Sequence, residues 1–190
     1  STLTLVLAGI IVGSFFSALV SLMQYIADPR DTLPSIVFWL MGSLSSVTFN
    51  NLLPALAIML AGIVGLIVVR WRINILAMGE DEARSLGINM KMLVGIVVAC
   101  GTIATASAVC ISGVIGWIGL VIPHIGRMIV GPDYKKLIPV SILIGGVYLV
   151  FIDDIARTLI AGEIPLGILT ALLGTPFFAY LLSKSKASWS

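Results

Sequence analysis

The sequence predicts an all-α fold, a polytopic membrane helical bundle with a broken helix and a short half-helix. Of the 190 residues, 59% are hydrophobic and only 11% are charged, against about 25% charged residues in a typical soluble domain. The mean hydropathy is +1.14, and apolar runs long enough to cross a bilayer recur along the chain. Because lipid offers no partner to backbone polar groups, such runs must be helical. We therefore expect a single transmembrane domain, residues 1–190, and no soluble domain.

The first long apolar run, Leu3 to Ile26, predicts a membrane-spanning helix with one polar face. Its polar side chains recur at spacings of three, four and three residues, which places them on one side of a helix; they are Ser14, Ser17, Ser21 and Gln24. On a membrane helix such a face points at another helix or at a water-filled path rather than at lipid. Either helix packing or a translocation path would explain this polar face.

A short apolar segment follows the first break in the chain. Asp28, Pro29 and Arg30 end the first helix, and the run from Ile36 to Leu44 is too short to cross a bilayer. We expect an interfacial or re-entrant helix at this place, with Trp39 near the lipid headgroups.

The most polar stretch of the chain, Arg70 to Lys91, lies between two predicted spans, Leu52 to Val69 and Met92 to Val114. It carries seven of the twenty Asp, Glu, Lys and Arg residues. Because apolar residues are interspersed among these charges, we expect a loop outside the bilayer that holds two short helices, with a helix cap and turn at Gly87. The loop either folds back on its own helices or receives a partner; an ordinary solvated loop is the simpler alternative.

Three glycines interrupt the next apolar run, GVIGWIG; they are Gly113, Gly116 and Gly119. Glycine lowers helix propensity by about 1 kcal/mol relative to alanine, so we expect an unwound segment here. A half-helix from Val121 to Val130 follows and opens near Pro123. Irregular backbone at membrane depth must be buried in protein or line a cavity. We expect His124 to bond backbone carbonyls of the unwound segment; ligand binding or proton transfer is the alternative.

Two more apolar runs complete the pattern, Leu137 to Ile160 and Leu166 to Leu182. We expect the second to be interrupted at residues 174–176, where the sequence is Gly-Thr-Pro. Asp154 and Arg157 are three residues apart, so they can pair on one helix face. The alternative for Arg157 is an acidic group on another protein.

Charge is distributed unevenly between the two ends of the predicted bundle. Helix counting puts nine of the eleven Lys and Arg residues on one side: four in the Arg70 to Lys91 loop, then Arg127, Lys135, Lys136, Lys184 and Lys186. The opposite side holds Arg30 and Arg157 together with acidic residues. The basic side is cytoplasmic by the positive-inside rule, which also predicts a cytoplasmic C-terminus.

We find no recognisable catalytic constellation, and we expect no catalytic residue, no metal site and no cofactor. His124 is the one histidine, and no HExxH, CxxC or P-loop pattern occurs. Asp153 and Asp154 are adjacent, so they point to different helix faces. Charges lie near the span ends, which argues against an ion-coupled transporter, since a mid-membrane charge costs about 2.5–3.5 kcal/mol. The chain is therefore not expected to be an enzyme, and its energy must come from a partner.

Four ordered strings carry a family resemblance. They are GVIGWIGLVIPHIGRMIVGPDYKKLIPVSILIGG, DDIARTLIAGEIPLGILTALLGTPFFAYLL, LAMGEDEARSLGIN and FWLMGSLS. Together they resemble the FecCD type of ABC importer permease, the family that imports iron-siderophore, haem and cobalamin. The similarity covers nearly the whole chain. Small departures occur at Tyr134 and Lys135, where the family often has His-Arg, and at Ile164, where it has Leu.

The resemblance implies the C-terminal six membrane helices of a longer permease, counting the half-helix, so the chain is a fragment or one piece of a split permease. It also implies a homodimer with a second permease copy and separate ATP-binding cassette ATPase subunits on the cytoplasmic side. A periplasmic or lipid-anchored substrate-binding protein would dock on the outer side. The expected location is the bacterial inner membrane, surrounded by lipid, with no nucleic-acid partner.

The resemblance also implies roles for particular residues. Residues 70–91 would be the cytoplasmic coupling loop, and the ATPase would dock on Gly79, Glu80, Ala83, Arg84, Leu86 and Gly87. The translocation path would be lined by Ser14, Ser17, Ser21, Gln24 and Trp39. Arg157 would meet an acidic residue of the binding protein.

Two other functions remain open on the residues alone. A non-transporting membrane scaffold fragment belongs to a different class, and a secondary transporter would work without any ATPase. The residues do not identify the substrate, because the expected path offers Ser, Gln and apolar groups but no metal ligands.

Overall fold

The structure is a computed structural model that describes residues 2–78, 83, 85–159 and 162–186. Its seven principal helices are α1 (Thr2–Ile26), α2 (Thr32–Met41), α3 (Phe49–Met78), α4 (Met90–Ser112), α5 (Ile118–Val130), α6 (Tyr134–Thr158) and α7 (Leu166–Lys186). No strand occurs among the described residues.

Four helices are long and apolar enough to cross a membrane: α1, α3, α4 and α6. The helices α2, α5 and α7 are shorter apolar helices on the same criteria. Large apolar side chains on these helices are widely exposed, as expected of surfaces that face lipid or other membrane helices. The predicted all-α membrane bundle is thereby confirmed.

The chain divides into two compact units, residues 1–40 and residues 41–190. The first contains α1 and nearly all of α2. Between these helices Asp28 forms a turn, since its carboxylate accepts from the Arg30 amide at 2.8 Å and its carbonyl from the Leu33 amide at 2.9 Å. The short helix α2 thus begins four residues earlier than the expected Ile36 and ends three residues before Leu44.

In the second unit, α3 packs against α4 at positions where α3 has glycine. A Cβ atom on Gly62 would lie 2.6 Å from the Cys100 carbonyl oxygen and 2.9 Å from the Ala104 nitrogen. A Cβ atom on Gly65 would lie 2.5 Å from the Cys100 sulfur. The two backbones therefore approach as closely as small residues allow, which is the usual basis of helix association in membranes.

The helix α3 is longer than the sequence predicted, because it continues past Val69 to Met78. Its 30 residues extend about 45 Å at 1.5 Å per residue, whereas the hydrocarbon core is about 30 Å thick. The last turns, from Arg70 onward, therefore project beyond the apolar layer as helix and not as loop. The connection between α3 and α4 spans residues 79–89, of which the structure describes residue 83 and residues 85–89; residues 83 and 85 are helical.

The described part of this connection ends in a helix cap. Gly87 has a φ of 70°, and the Ile88 amide donates to the Ala83 carbonyl at 3.0 Å. This is the bond of a Schellman cap, in which glycine takes the left-handed position. The expected cap and turn at Gly87 are confirmed, and Asn89 then caps α4 by accepting from the Met92 amide.

The apolar run after α4 is broken, as predicted. Residues 113–117 are not helical, and Gly113 and Trp117 both have positive φ values, 68° and 67°. The half-helix α5 begins at Ile118 and not at Val121, so Pro123 lies inside it. The glycines unwind the segment, but the helix restarts as soon as the backbone has turned at Trp117.

The predicted interruption of the last helix was wrong. The helix α7 is continuous through residues 174–176, since a membrane helix tolerates proline where neighbours compensate the freed backbone groups. Glycine is needed at position 174 for packing, because a Cβ atom there would lie 2.7 Å from the Trp117 Cβ atom. It lets α7 pass against the unwound segment, where the Trp117 ring packs near Phe178 with centroids 6.1 Å apart.

Candidate functional site

The principal polar contacts of the second unit lie at its two opposite ends, which we call the basic end and the acidic end after their charged residues. The basic end is defined by Arg70, Asn74, Arg127, Asp133, Tyr134 and Lys135, together with the 79–89 connection. The acidic end is defined by Ser43, Ser45, Asp153, Arg157 and Glu163.

Residues from three helices, two of them arginines, meet at the basic end. The Arg70 guanidinium donates to the Lys135 carbonyl at 3.4 Å. The Arg127 guanidinium donates to the Tyr134 hydroxyl at 3.0 Å and lies 5.8 Å from the centre of that ring. Helix counting had placed these residues on one side, and the contacts confirm it.

A reciprocal side-chain cross-link joins the end of α3 to the start of α6. The Asn74 amide donates to the Asp133 carboxylate at 2.7 Å, and its oxygen accepts from the Tyr134 backbone amide at 2.8 Å. The same Asp133 oxygen accepts from the Lys135 amide at 3.0 Å, so Asp133 is also the N-cap of α6. All of these bonds are made outside the apolar part of the spans.

The surroundings of Asp133 favour its charged form. The hydrogen bond from Asn74 and the backbone bond from Lys135 lower the pKa of this carboxyl below its ordinary value, and the Lys135 and Lys136 charges act in the same direction. A negative charge at this position also suits the positive end of the α6 dipole. Asp133 is thus an anion held within a basic surface.

An apolar cluster lies beneath this polar layer. Val69, Ile73 and Leu93 are buried, and Tyr134 and Ile138 pack against them. The end of α3, the start of α4 and the start of α6 therefore share one core. A displacement of any of these three segments must disturb both the cluster and the polar layer above it.

The predicted ATPase-docking residues have different positions. Gly79, Glu80 and Arg84 lie outside the described residues. The side chain of Ala83 is fully buried, whereas Leu86 is 62% exposed. Of the described docking candidates with a side chain beyond Cβ, Leu86 is therefore the one that offers apolar surface to a partner.

At the acidic end, the segment after α2 is bonded to two other helices. The Ser43 amide donates to the Ser112 carbonyl at 2.8 Å, and the Leu166 amide donates to the Gly42 carbonyl at 2.9 Å. A Cβ atom on Gly167 would lie 2.5 Å from the Met41 carbonyl oxygen. Residues 41–43 are thus fixed to the end of α4 and the start of α7.

Glu163 bonds the same segment through its side chain. The Ser43 hydroxyl donates to the Glu163 carboxylate at 2.9 Å, and the Ser43 and Ser45 hydroxyls lie 2.8 Å apart. The Ser45 hydroxyl and then the Ser43 hydroxyl, acting against desolvation, lower the pKa of Glu163, and the Arg157 charge adds to this. The ionised carboxylate therefore stabilises the segment after α2.

Arg157 pairs with Asp153 and not with Asp154, which corrects the sequence prediction. The guanidinium Nε lies 2.8 Å from the Asp153 carboxylate, four residues back along α6. An i,i+4 spacing aligns the two side chains on one helix face as well as an i,i+3 spacing does, and the sequence offered both partners. The Arg157 side chain remains 46% exposed, so a partner could still reach it.

The predicted path residues all belong to the first unit, where α1 presents a polar stripe. Ser14, Ser17 and Ser21 are exposed, Gln24 is half-buried, and the Ser21 hydroxyl donates to the Ser17 carbonyl at 3.0 Å. Trp39 is exposed on α2. The stripe on one face of α1 is therefore present as predicted, and its role as a path stays a prediction.

The residues predicted for the broken helix lie in the unwound segment and in α5. Gly113 has the positive φ that starts the unwound segment, whereas Gly116 and Gly119 have open space where a Cβ atom would be. His124 is exposed on α5, and the expected bond to the unwound carbonyls is not observed among the described residues. Within the same residues, no three His, Cys, Asp or Glu side chains are grouped as metal ligands.

The sequence analysis missed Asn74 and Ser43, which make the principal polar contacts at the two ends. A signal for Asn74 exists: it is an amide one turn beyond Arg70 and directly before the apolar residues 75–78. Its partner Asp133 stands directly before a helix, in a position typical of an N-cap.

An all-α bundle with long apolar helices, a broken helix and separate basic and acidic ends defines a multi-pass membrane protein. The chain belongs to the FecCD transport family, whose family model matches residues 1–184. The confirmed family is the one that the four sequence strings indicated.

Individual relatives agree with this membership. The chain is 45% identical to the molybdate import system permease protein MolB of Haemophilus influenzae, over 98% of this chain and 55% of that protein. It is 40% identical to a Helicobacter pylori protein named "Probable iron chelatin transport system permease protein", over 98% of this chain and 57% of that protein. A solved structure, an inward-facing conformation of a proposed metal-chelate type ABC transporter, matches at 45% identity with a TM-score of 0.92, over 97% of this chain and 60% of that chain. The chain thus spans somewhat more than half the length of these relatives.

Proposed function

We propose that this chain is part of the permease subunit of a binding-protein-dependent ABC importer that moves a metal-containing solute across the bacterial cytoplasmic membrane. The observation that carries the proposal is the basic end, where the projecting turns of α3 and the starts of α4 and α6 form one packed surface beside the 79–89 connection. Such a surface can receive mechanical work from an ATPase. Family membership and the names of the relatives support this reading.

The partners follow from the two ends. ATP-binding cassette subunits would bind the basic end, which the positive-inside rule puts in the cytoplasm together with the C-terminus. A substrate-binding protein would bind the acidic end, where Arg157 is half-exposed. A second permease copy would complete the path, to which the polar face of α1 would contribute.

We propose a metal complex as the solute, such as an iron-siderophore, haem or a corrinoid. The family resemblance supports these chelates, and the iron chelatin relative agrees with them. The molybdate relative adds a metal oxyanion to the set. Recognition would rest with the binding protein, because the face of α1 offers hydroxyl and amide groups and no strong metal ligand.

The test is reconstitution of the intact protein in lipid vesicles with its ATPase subunits and its binding protein. Uptake of labelled ferric siderophore, haem, corrinoid and molybdate is measured with ATP and with a non-hydrolysable analogue. We expect one of these solutes to accumulate with ATP alone. Uptake that needs no ATPase would indicate a secondary transporter, and stable assembly without uptake of any solute would indicate a scaffold.

A further inference from the structure

The cross-link between Asn74 and Asp133 joins two segments that are 59 residues apart in sequence. We propose that these two side chains are positioning residues for energy coupling. They make the projecting end of α3 and the start of α6 move as one body, so that a displacement of the 79–89 connection reaches the broken helix. This inference rests on the proposed function, because it presumes that an ATPase acts at the basic end.

The cross-link uses both the donor and the acceptor of the Asn74 amide. The Asn74 amide both donates to Asp133 and accepts from the Tyr134 backbone, and the Asp133 carboxylate also caps α6 through the Lys135 amide. Separation of the two helix ends would break both Asn74 hydrogen bonds at once, together with the Arg70 bond to the Lys135 carbonyl. Because the bond between Asn74 and Asp133 is made to a charged group, which strengthens it, a joint movement of the helix ends is favoured over their separation.

A short path leads from the cross-link to the broken helix. Asp133 is joined to the end of α5 through two residues, Gly131 and Pro132. The 13 residues of α5 cover about 20 Å and lead back to the unwound segment 113–117. A shift of Asp133 is therefore passed along a short rigid helix to the backbone at Trp117, which carries the left-handed φ.

A role in stability alone is not the simplest explanation of the cross-link. The apolar cluster of Val69, Ile73 and Leu93 already packs the three segments together. Apolar packing is not directional, so it permits sliding of one helix end along another. A reciprocal hydrogen-bonded pair fixes their register, which is the property that a coupling element requires.

The chemistry of the pair supplies a specific test. Asn74→Asp places two carboxylates against each other and removes the only donor between them. With its side-chain amide turned so that the NH2 group takes the place of the shared oxygen, an asparagine at position 133 gives up the bond from the Lys135 amide. Adding Asp133→Asn thereby restores the donor between the two side chains with the polarity reversed, because residue 133 would donate to the carboxylate at position 74. The Tyr134 amide would keep its acceptor as well.

The experiment compares four forms of the intact protein, assembled with the ATPase in vesicles: the wild type, Asn74→Asp, Asn74→Asp with Asp133→Asn, and the control Asn51→Asp. Asn51 lies in the first turn of α3 and accepts from the Thr48 amide at 2.8 Å. Aspartate can accept the same bond, so this variant makes the identical chemical change on the same helix without an opposing carboxylate.

We expect Asn74→Asp to keep the ATPase bound and ATP hydrolysis running while solute uptake per ATP falls about tenfold, since adjacent like charges disfavour each other. The doubly substituted form should recover part of the uptake, and Asn51→Asp should match the wild type. Recovery by polarity reversal is a readout that a residue needed only for folding of α3 would not give. If Asn74→Asp fails to assemble, Asn74→Ala removes the same bonds without adding charge and should show the same loss of uptake.

Two results would overturn the coupling role. Uptake by Asn74→Asp or Asn74→Ala at the wild-type level would show that the cross-link is not needed, and a doubly substituted form no better than Asn74→Asp would show that the pairing is not what matters. Failure of the proposed function looks different, because the wild type itself would then show no ATP-dependent uptake; that result would remove both proposals.

Discussion

Replacement of Gly62 by alanine is expected to destabilise the bundle by separating α3 from α4. The new Cβ atom would lie 2.6 Å from the Cys100 carbonyl oxygen, 2.9 Å from the Ala104 nitrogen and 3.0 Å from the Ala104 Cβ atom. Two of these neighbours are backbone atoms, which cannot rotate away. Overpacking of this kind costs about 1–3 kcal/mol, and the better helix propensity of alanine returns about 1 kcal/mol or less.

The net loss corresponds to a fall in apparent melting temperature of roughly 2–8 °C for a protein of this size. The measurement is thermal melting of the intact protein in detergent, followed by size-exclusion chromatography of the fraction that remains monodisperse. Gly95→Ala is the matched control, because Gly95 is on α4 and has nothing within 4 Å of the added atom. We expect this control to melt at or slightly above the wild-type temperature.

A second glycine on α3 distinguishes backbone contact from side-chain contact. A Cβ atom on Gly65 meets the Cys100 sulfur at 2.5 Å, and that side chain can rotate. Gly65→Ala should therefore cost less than Gly62→Ala, and Cys100→Ala should remove most of the cost of Gly65→Ala without relieving Gly62→Ala. Equal melting temperatures for Gly62→Ala and Gly95→Ala would refute the close approach of the two helices.

Four further predictions concern the two ends and the broken helix. Gly174→Ala should lower the melting temperature, because the added atom would lie 2.7 Å from the Trp117 Cβ atom; an unchanged melting temperature would place α7 farther away. Because the pKa of Glu163 is lowered in the folded protein, its contribution to stability is present above the ordinary glutamate range and is lost as the pH falls through the folded pKa. Glu163→Gln should therefore flatten the acid side of a plot of melting temperature against pH. Arg157→Glu should weaken association with the binding protein in a pull-down, and the loss should shrink as salt is raised; association equal to wild type at low salt would leave only the pair within α6. Leu86→Asp should reduce co-purification of the ATPase without changing the melting temperature of the permease alone, since Leu86 is 62% exposed; full retention of the ATPase would move the docking surface away from this side chain.

The helices themselves were predictable from the sequence because lipid imposes a simple rule on them. Every long apolar run must form a helix, and the structure has one at each predicted place. The unwound segment was predictable too, since three glycines precede Pro123. Boundaries were less predictable: α3 runs nine residues past Val69, because protein packing stabilises a helix after the apolar layer has ended.

The contacts that hold the two ends together could not be predicted in the same way. Gly174 led us to predict a helix break. In the structure a glycine is required there because Trp117, which is distant in sequence, lies against it. Asn74 could not be predicted as a contact residue either, because a single amide near the end of a helix indicates no particular partner. That partner, Asp133, is identifiable as a helix cap on its own, and a cap needs only the backbone of its own helix. The Asp133 carboxylate can also bond Asn74 because the ends of α3 and α6 meet outside the membrane, where a charged hydrogen bond need not be buried in lipid. Polar residues in the first turn beyond an apolar run, and caps at the same end of the bundle, are therefore where long-range coupling contacts should be sought in a membrane sequence.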